Sequence, residues 1–147
     1  MMFVVQNAAA GPMALGPSGS ALGYSYGATQ TGAILNSLGI KFDLYSNSGE
    51  GSNSTGLYLN GAQPTKPALD LTSSGVDLHC AHPMSVQITY DGTTLKMTIT
   101  DTITGSSYTT SWAVNIPQIV GSSAGYVGFT ASTGGATAVQ QVLNWTF

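Results

Sequence analysis

Apolar residues fall on every second position in three stretches of the chain. Ile40, Phe42 and Leu44 alternate with Lys41, Asp43 and Tyr45; Val86, Ile88 and Tyr90 alternate before Asp91-Gly92; Leu95, Met97 and Ile99, continued by Ile103, alternate after it. A period of two sends successive side chains to opposite faces of a strand, so each stretch is read as a strand with one face turned to a core. In the first, spanning 35–47, Ile40, Phe42 and Leu44 form the core face, and Lys41, Asp43, Tyr45 and Asn47 form a polar surface. The second and third make a hairpin, because Asp-Gly supplies the backbone conformations that a tight connection between strands requires. A further turn at Gly105 leads into a strand over 108–114, giving an antiparallel meander.

Four other segments complete the pattern: Phe3-Val4-Val5-Gln6, a short strand through Leu57 and Leu59, a strand over 124–131, and a last one over 139–147 that is rich in bulky apolar residues. The Gly/Pro/Ala stretch reaching to residue 33, the segment 48–54 and the surroundings of Pro64 and Pro67 read as loops. Strands recurring about every 8 to 15 residues with turn chemistry between them predict an all-β fold, an antiparallel sandwich or jelly roll, in one domain over 1–147.

Composition narrows the partners. Only 6% of the residues are charged, with three lysines, no arginine and six acids. A nucleic-acid binder needs a basic footprint, which is missing here. Gly, Ser, Thr and Asn take the place of the charged residues and are poor helix formers, which agrees with an all-β chain. No apolar run reaches the length of a spanning helix, so no membrane partner is expected, and Met1-Met2-Phe3-Val4-Val5 is too short and lacks the basic flank of an export signal. Cellular location stays open, with the Thr-rich, charge-poor style favouring an extracellular setting. Cys80 is the one cysteine, so an internal disulfide is excluded. The triplets Asn53-Ser54-Thr55 and Asn144-Trp145-Thr146 match a glycosylation acceptor and are read as chance.

Ile40-Lys41-Phe42-Asp43-Leu44-Tyr45-Ser46-Asn47 resembles the strand end and metal loop of the legume-type (L-type) lectins. Leu22-Gly23-Tyr24, the run from Tyr126 through Gly134, and Val142-Leu143-Asn144-Trp145-Thr146-Phe147 are similar to three further segments of that family, in family order. The style is closest to bacterial lectin-like modules. The resemblance implies a concanavalin-like jelly-roll sandwich that lacks the family's N-terminal strands, together with the loop whose aspartate holds the sugar. Unpaired sheet edges invite pairing, so a homo-oligomer or a strand-swapped dimer is expected.

For the site, the resemblance implies a carbohydrate partner. Asn47 would be the sugar-binding amide, Gly19 or Ser20 the loop amide and Tyr45 an aromatic platform; Ser132, Thr133 and Gly134, with Gly135, would form the specificity loop. It implies calcium held by Asp43, the Tyr45 carbonyl, Asn47 and Glu50. The alternative for these residues is a plain surface ion pair of Lys41 with Asp43, beside a turn. Lys41 stands where the family has the glutamate of its transition-metal site, and Ser54 where its histidine falls, so no transition metal is expected. With the aspartate unmatched, sugar affinity is expected to be weak. An alternative function is a small glycoside hydrolase using Asp43 and Glu50, the one carboxylate pair placed to face one cleft, and a third is a scaffold without ligand. His79, Cys80 and His82 are the only cluster of soft ligands; a closed zinc site needs a fourth, so they are read as loop residues leading to the strand at Met84.

Overall fold

The computed structural model describes residues 1–26 and 31–147. Part of the first expected loop, residues 27–30, lies outside them. The strands among the described residues are β1 (Met2–Gln6), β2 (Ser37–Asp43), β3 (Ser54–Leu59), β4 (Leu69–Asp70), β5 (Met84–Tyr90), β6 (Thr94–Asp101), β7 (Ser107–Ala113) and β8 (Tyr126–Thr130), with one short helix α1 (Ile116–Val120) between the last two. They form two antiparallel sheets, one of five strands in the order β4-β3-β2-β1-β8 and one of three in the order β5-β6-β7.

The core between the sheets is built from the alternating positions. Phe3, Leu38 and Ile40 of the larger sheet meet Leu95, Met97 and Ile99 of the smaller, with Leu71 and Val76 closing the side. The larger sheet also buries its other face, where Met2, Val4 and Tyr58 pack with Leu22, Tyr24 and Ile34. Two covered faces explain why β1 reads as an unbroken apolar run. The β5–β6 hairpin forms as expected, with Tyr90 opposite Leu95 and Asp91 Oδ1 accepting the amides of Thr93 (2.8 Å) and Thr94 (2.7 Å) across the turn. Gly92 takes a φ of +101° there, which a side chain would oppose.

Two expectations need correction. Residues 139–147 form no strand among the described residues. Apolar, β-branched composition supplies strand propensity but does not decide pairing, and the segment lays a side chain on β8 without joining its ladder. Val139, Leu143 and Phe147 are strongly exposed, while Trp145 sets its ring edge-on to Phe129 at 5.6 Å. Lys41 and Asp43, expected on a polar surface, are instead buried, at 0% and 4% exposure. The alternation was right, but the face opposite the core is itself covered.

Candidate functional site: a depression walled by three loops

The end of β2, the 3-10 turn Gly19–Ala21 and the chain after β8 converge. Ser132 Oγ donates to the Gly19 carbonyl (2.8 Å), and the Gly19 amide donates to the Thr133 carbonyl (3.2 Å), tying the first loop to the third. Thr130 Oγ1 adds a buried bond to the Leu22 carbonyl at 2.9 Å. Gly134 is needed for this approach, since a Cβ there would stand 3.0 Å from Gly19 Cα. The second loop joins through Tyr45, whose hydroxyl donates to the Thr137 carbonyl at 3.0 Å.

These three loops wall a depression lined by Gly19, Ser20, Tyr45, Asn47, Ser132, Thr133 and Gly134. All seven residues named from the sequence as sugar contacts therefore border one hollow, with Asp43 beside them. Tyr45 is 41% exposed and stands edge-on to the His79 ring, 6.4 Å between centroids. His79 is itself fixed, because its Nε2–H donates to the Leu44 carbonyl at 2.9 Å. Sequence reasoning missed His79 in this role; nothing in its spacing shows that residues 35 apart meet. It also missed Gln140, which lines the depression and whose Oε1 is, among the described residues, the one buried side-chain polar atom without a hydrogen-bond partner. An unpaired buried acceptor is costly, and a ligand donor would relieve it.

Lys41 lies behind this hollow. Its Nζ donates to Asp43 Oδ2 (3.3 Å) and to the carbonyls of Pro64 (2.8 Å) and Thr65 (3.4 Å), so three acceptors meet its three donors. The Tyr58 ring adds its face, 5.6 Å from the nitrogen. Burial lowers the Lys41 pKa from its ordinary 10.5, and Asp43, by charge and hydrogen bond, opposes that shift. The pair is thus a buried ion pair, not the surface pair weighed from the sequence.

The calcium donors expected in this loop are engaged internally. Asp43 Oδ1 accepts the Tyr45 amide at 3.3 Å while Oδ2 faces the lysine. Glu50 accepts the amides of Asn47 (2.8 Å) and Ser48, and the Tyr45 carbonyl accepts from Asn47 Nδ2 at 3.4 Å. Burial pushes the Glu50 pKa up, but the amides of Asn47, Glu50 and Ser48, aided by the Lys41 charge, outweigh it and leave the carboxyl below its usual 4.5. A calcium ion takes six to eight oxygens and tolerates no adjacent fixed cation cheaply. As arranged, with an ammonium on Asp43 and backbone amides on Glu50, these residues do not fit it.

The two carboxylates border different depressions. Asp43 lines the hollow between the loops, whereas Glu50 lines another depression with Gly49, Lys66, Pro67 and Ala68. Asn53, the first acceptor triplet, is spent internally, with its amide bonded to the Val76 carbonyl at 2.7 Å and to the Leu78 amide at 3.1 Å.

The family model of the legume lectin domain matches residues 1–147, the whole chain. The chain belongs to the legume lectin domain family. A search among curated proteins found no match. Membership agrees with the two antiparallel sheets described above and gives the chain a carbohydrate-binding, lectin-like role.

Proposed function

We propose that this lectin domain binds a small saccharide in the hollow between the 19–22, 43–47 and 132–140 loops, with weak affinity and without a calcium ion in the 43–50 loop. The observation that carries the reading is the convergence of Gly19, Ser20, Tyr45, Asn47 and Ser132 to Gly134 on one depression, with the unpaired Gln140 oxygen inside it. Tyr45 offers an apolar ring to a sugar face. Asn47 and the loop backbone offer hydrogen bonds to hydroxyls, and Gln140 Oε1 accepts one more. The buried Lys41 ammonium fixes Asp43, which in turn accepts the Tyr45 amide and so sets the loop. That is the organising task a bound cation would otherwise perform.

A shallow site with few charged groups implies a Kd near 1 mM, about −4 kcal/mol. The test is a monosaccharide and oligosaccharide panel read by ligand-observed NMR, with and without chelator. At least one sugar is expected to bind, chelator is expected to leave it bound, and Asn47→Ala or Tyr45→Ala is expected to remove the signal while the fold is retained. Loss of binding on chelation restores calcium at Asp43, Asn47 and Glu50. Binding that survives both substitutions rejects the hollow as the site.

We further propose that copies of the chain associate through the 139–147 segment, because Val139, Leu143 and Phe147 present apolar surface that no described residue covers. Light scattering across a concentration series should then show mass rising above the monomer.

A further inference from the structure

Cys80, His82 and Asp101 meet at the open end of the β5–β6 hairpin, opposite its Asp91-Gly92 turn. Met84 and Asp101 are ladder partners, and Thr102 bonds the Pro83 carbonyl through its amide (3.1 Å) and its hydroxyl (2.8 Å). The segment entering β5 is thereby stitched to the residues leaving β6. Asp101 is nearly fully buried, and its Oδ1 accepts the amides of Ile103 (2.8 Å) and Thr104 (3.1 Å). That leaves Oδ2 aimed at the 80–82 loop, 2.8 Å from His82 Nδ1 and 3.9 Å from Cys80 Sγ. Between the two loop residues, Ala81 holds a φ of +59°, a left-handed conformation that alanine seldom adopts, and the His82 amide donates to Cys80 Sγ at 3.4 Å.

One sulfur, one imidazole nitrogen and one carboxylate oxygen thus lie within 4.8 Å of one another, on side chains whose backbone is pinned on both sides. Tetrahedral coordination with bonds of about 2.0 to 2.3 Å spaces its ligand atoms roughly 3.3 to 3.8 Å apart, and the two measured separations bracket that spacing. We propose that Cys80, His82 and Asp101 form a binding site for a borderline transition-metal cation, Zn²⁺ being the best match. A set that mixes sulfur, nitrogen and oxygen selects such an ion over Ca²⁺ or Mg²⁺, which take oxygen alone. Three protein ligands leave the fourth position to water. On binding, the thiol proton passes to solvent and the Nδ1 proton now held toward Asp101 is exchanged through solvent for one on Nε2, so that the neutral imidazole coordinates through Nδ1.

This assignment differs from the soft-ligand cluster visible in the sequence. His79 leaves the group, turning to Leu44 and Tyr45, and Asp101, 19 positions beyond His82, takes its place. None of the three ligands lines the saccharide hollow. The loop they anchor nevertheless carries His79, so an ion there would tether the support of the Tyr45 ring to β6.

The full chain, stripped with chelator, is titrated with Co²⁺ as a spectroscopic stand-in for Zn²⁺. One-to-one saturation with a thiolate-to-cobalt charge-transfer band is expected, displaced by Zn²⁺ and not by Ca²⁺. Cys80→Ser should abolish the band, His82→Gln should weaken binding at least about tenfold, and His79→Gln should leave it unchanged. A rise in the wild-type melting temperature with Zn²⁺ but not Ca²⁺ gives a readout that needs no variant. The proposal is overturned by a wild-type chain that neither saturates with Co²⁺ nor gains stability from Zn²⁺, by a band that survives Cys80→Ser, or by His79→Gln weakening binding as much as His82→Gln.

Discussion

Strand β2 of the five-stranded sheet is buried at six of its seven positions, whereas β5 of the three-stranded sheet has no fully buried residue and β7 alternates between exposed and half-buried. All three strands follow a period of two. The difference lies in what covers the second face. Behind β2 pack Leu22, Tyr24 and Ile34, so a polar residue on that face must find partners within the protein, as Lys41 does with Asp43, Pro64 and Thr65. On the smaller sheet, water serves the outer face, and its hydroxyls need only each other, as Thr98 and Thr109 show at 2.9 Å. The same side-chain chemistry is therefore structural in one sheet and incidental in the other.

Paired lysines break this comparison most directly. Lys41→Ala leaves the Asp43 carboxylate buried without its cation and strips two carbonyls of their donor, so a loss of about 3 to 5 kcal/mol is expected. Lys96→Ala, on the exposed face of β6, should stay within about 0.5 kcal/mol. Urea unfolding of both variants is the measurement, and equal effects would dissolve the distinction between the sheets.

A second pair sharpens it within the larger sheet. A Cβ on Gly39 would stand 2.6 Å from Met2 Cε and 3.2 Å from the Tyr24 ring, so Gly39→Ala overpacks the covered face and should cost about 1 to 3 kcal/mol. Gly128 on the edge strand β8 has no atom within 4 Å of that position, and Gly128→Ala should be neutral or stabilise slightly by restricting the unfolded chain. Thermal melts of the two variants should move apart.

The smallest effect concerns acid. Glu50 and Asp91 both have folded pKa values below their ordinary ones, 4.5 and 3.8; for Asp91 the amides of Thr93 and Thr94 are the cause. A depressed carboxylate contributes stability that is complete above its unfolded pKa and is lost as pH falls through the folded one. Glu50 is buried and Asp91 lies in an exposed turn, so Glu50→Gln should flatten the decline in stability below pH 4.5 more than Asp91→Asn flattens it below pH 3.8. Urea midpoints compared between pH 7 and pH 3 would show it.

Much of the strand set was legible because alternation and turn chemistry are local. The Asp91-Gly92 hairpin, β2 and the family segments around Asn47 and Gly134 needed no distant information. The strand expected over 139–147 failed because Val142, Leu143 and Trp145 carry propensity, which is local, while pairing with a particular sheet edge is decided by the whole fold. The hollow between the three loops was legible only through the family resemblance, which named loops far apart in the chain. Gln140 and His79 were hidden because an orphaned oxygen, or a ring braced on Tyr45, exists only after folding.

By itself the sequence determined the period of the strands and their turns, since these depend on neighbours a few residues away. Tertiary structure alone decided that Lys41 is an internal cation bound to Asp43, that Glu50 braces its own loop, and that Asp101 joins Cys80 and His82. Each of those outcomes depends on which surfaces lose water when the sheets and loops close over them, and burial is a property of the whole fold.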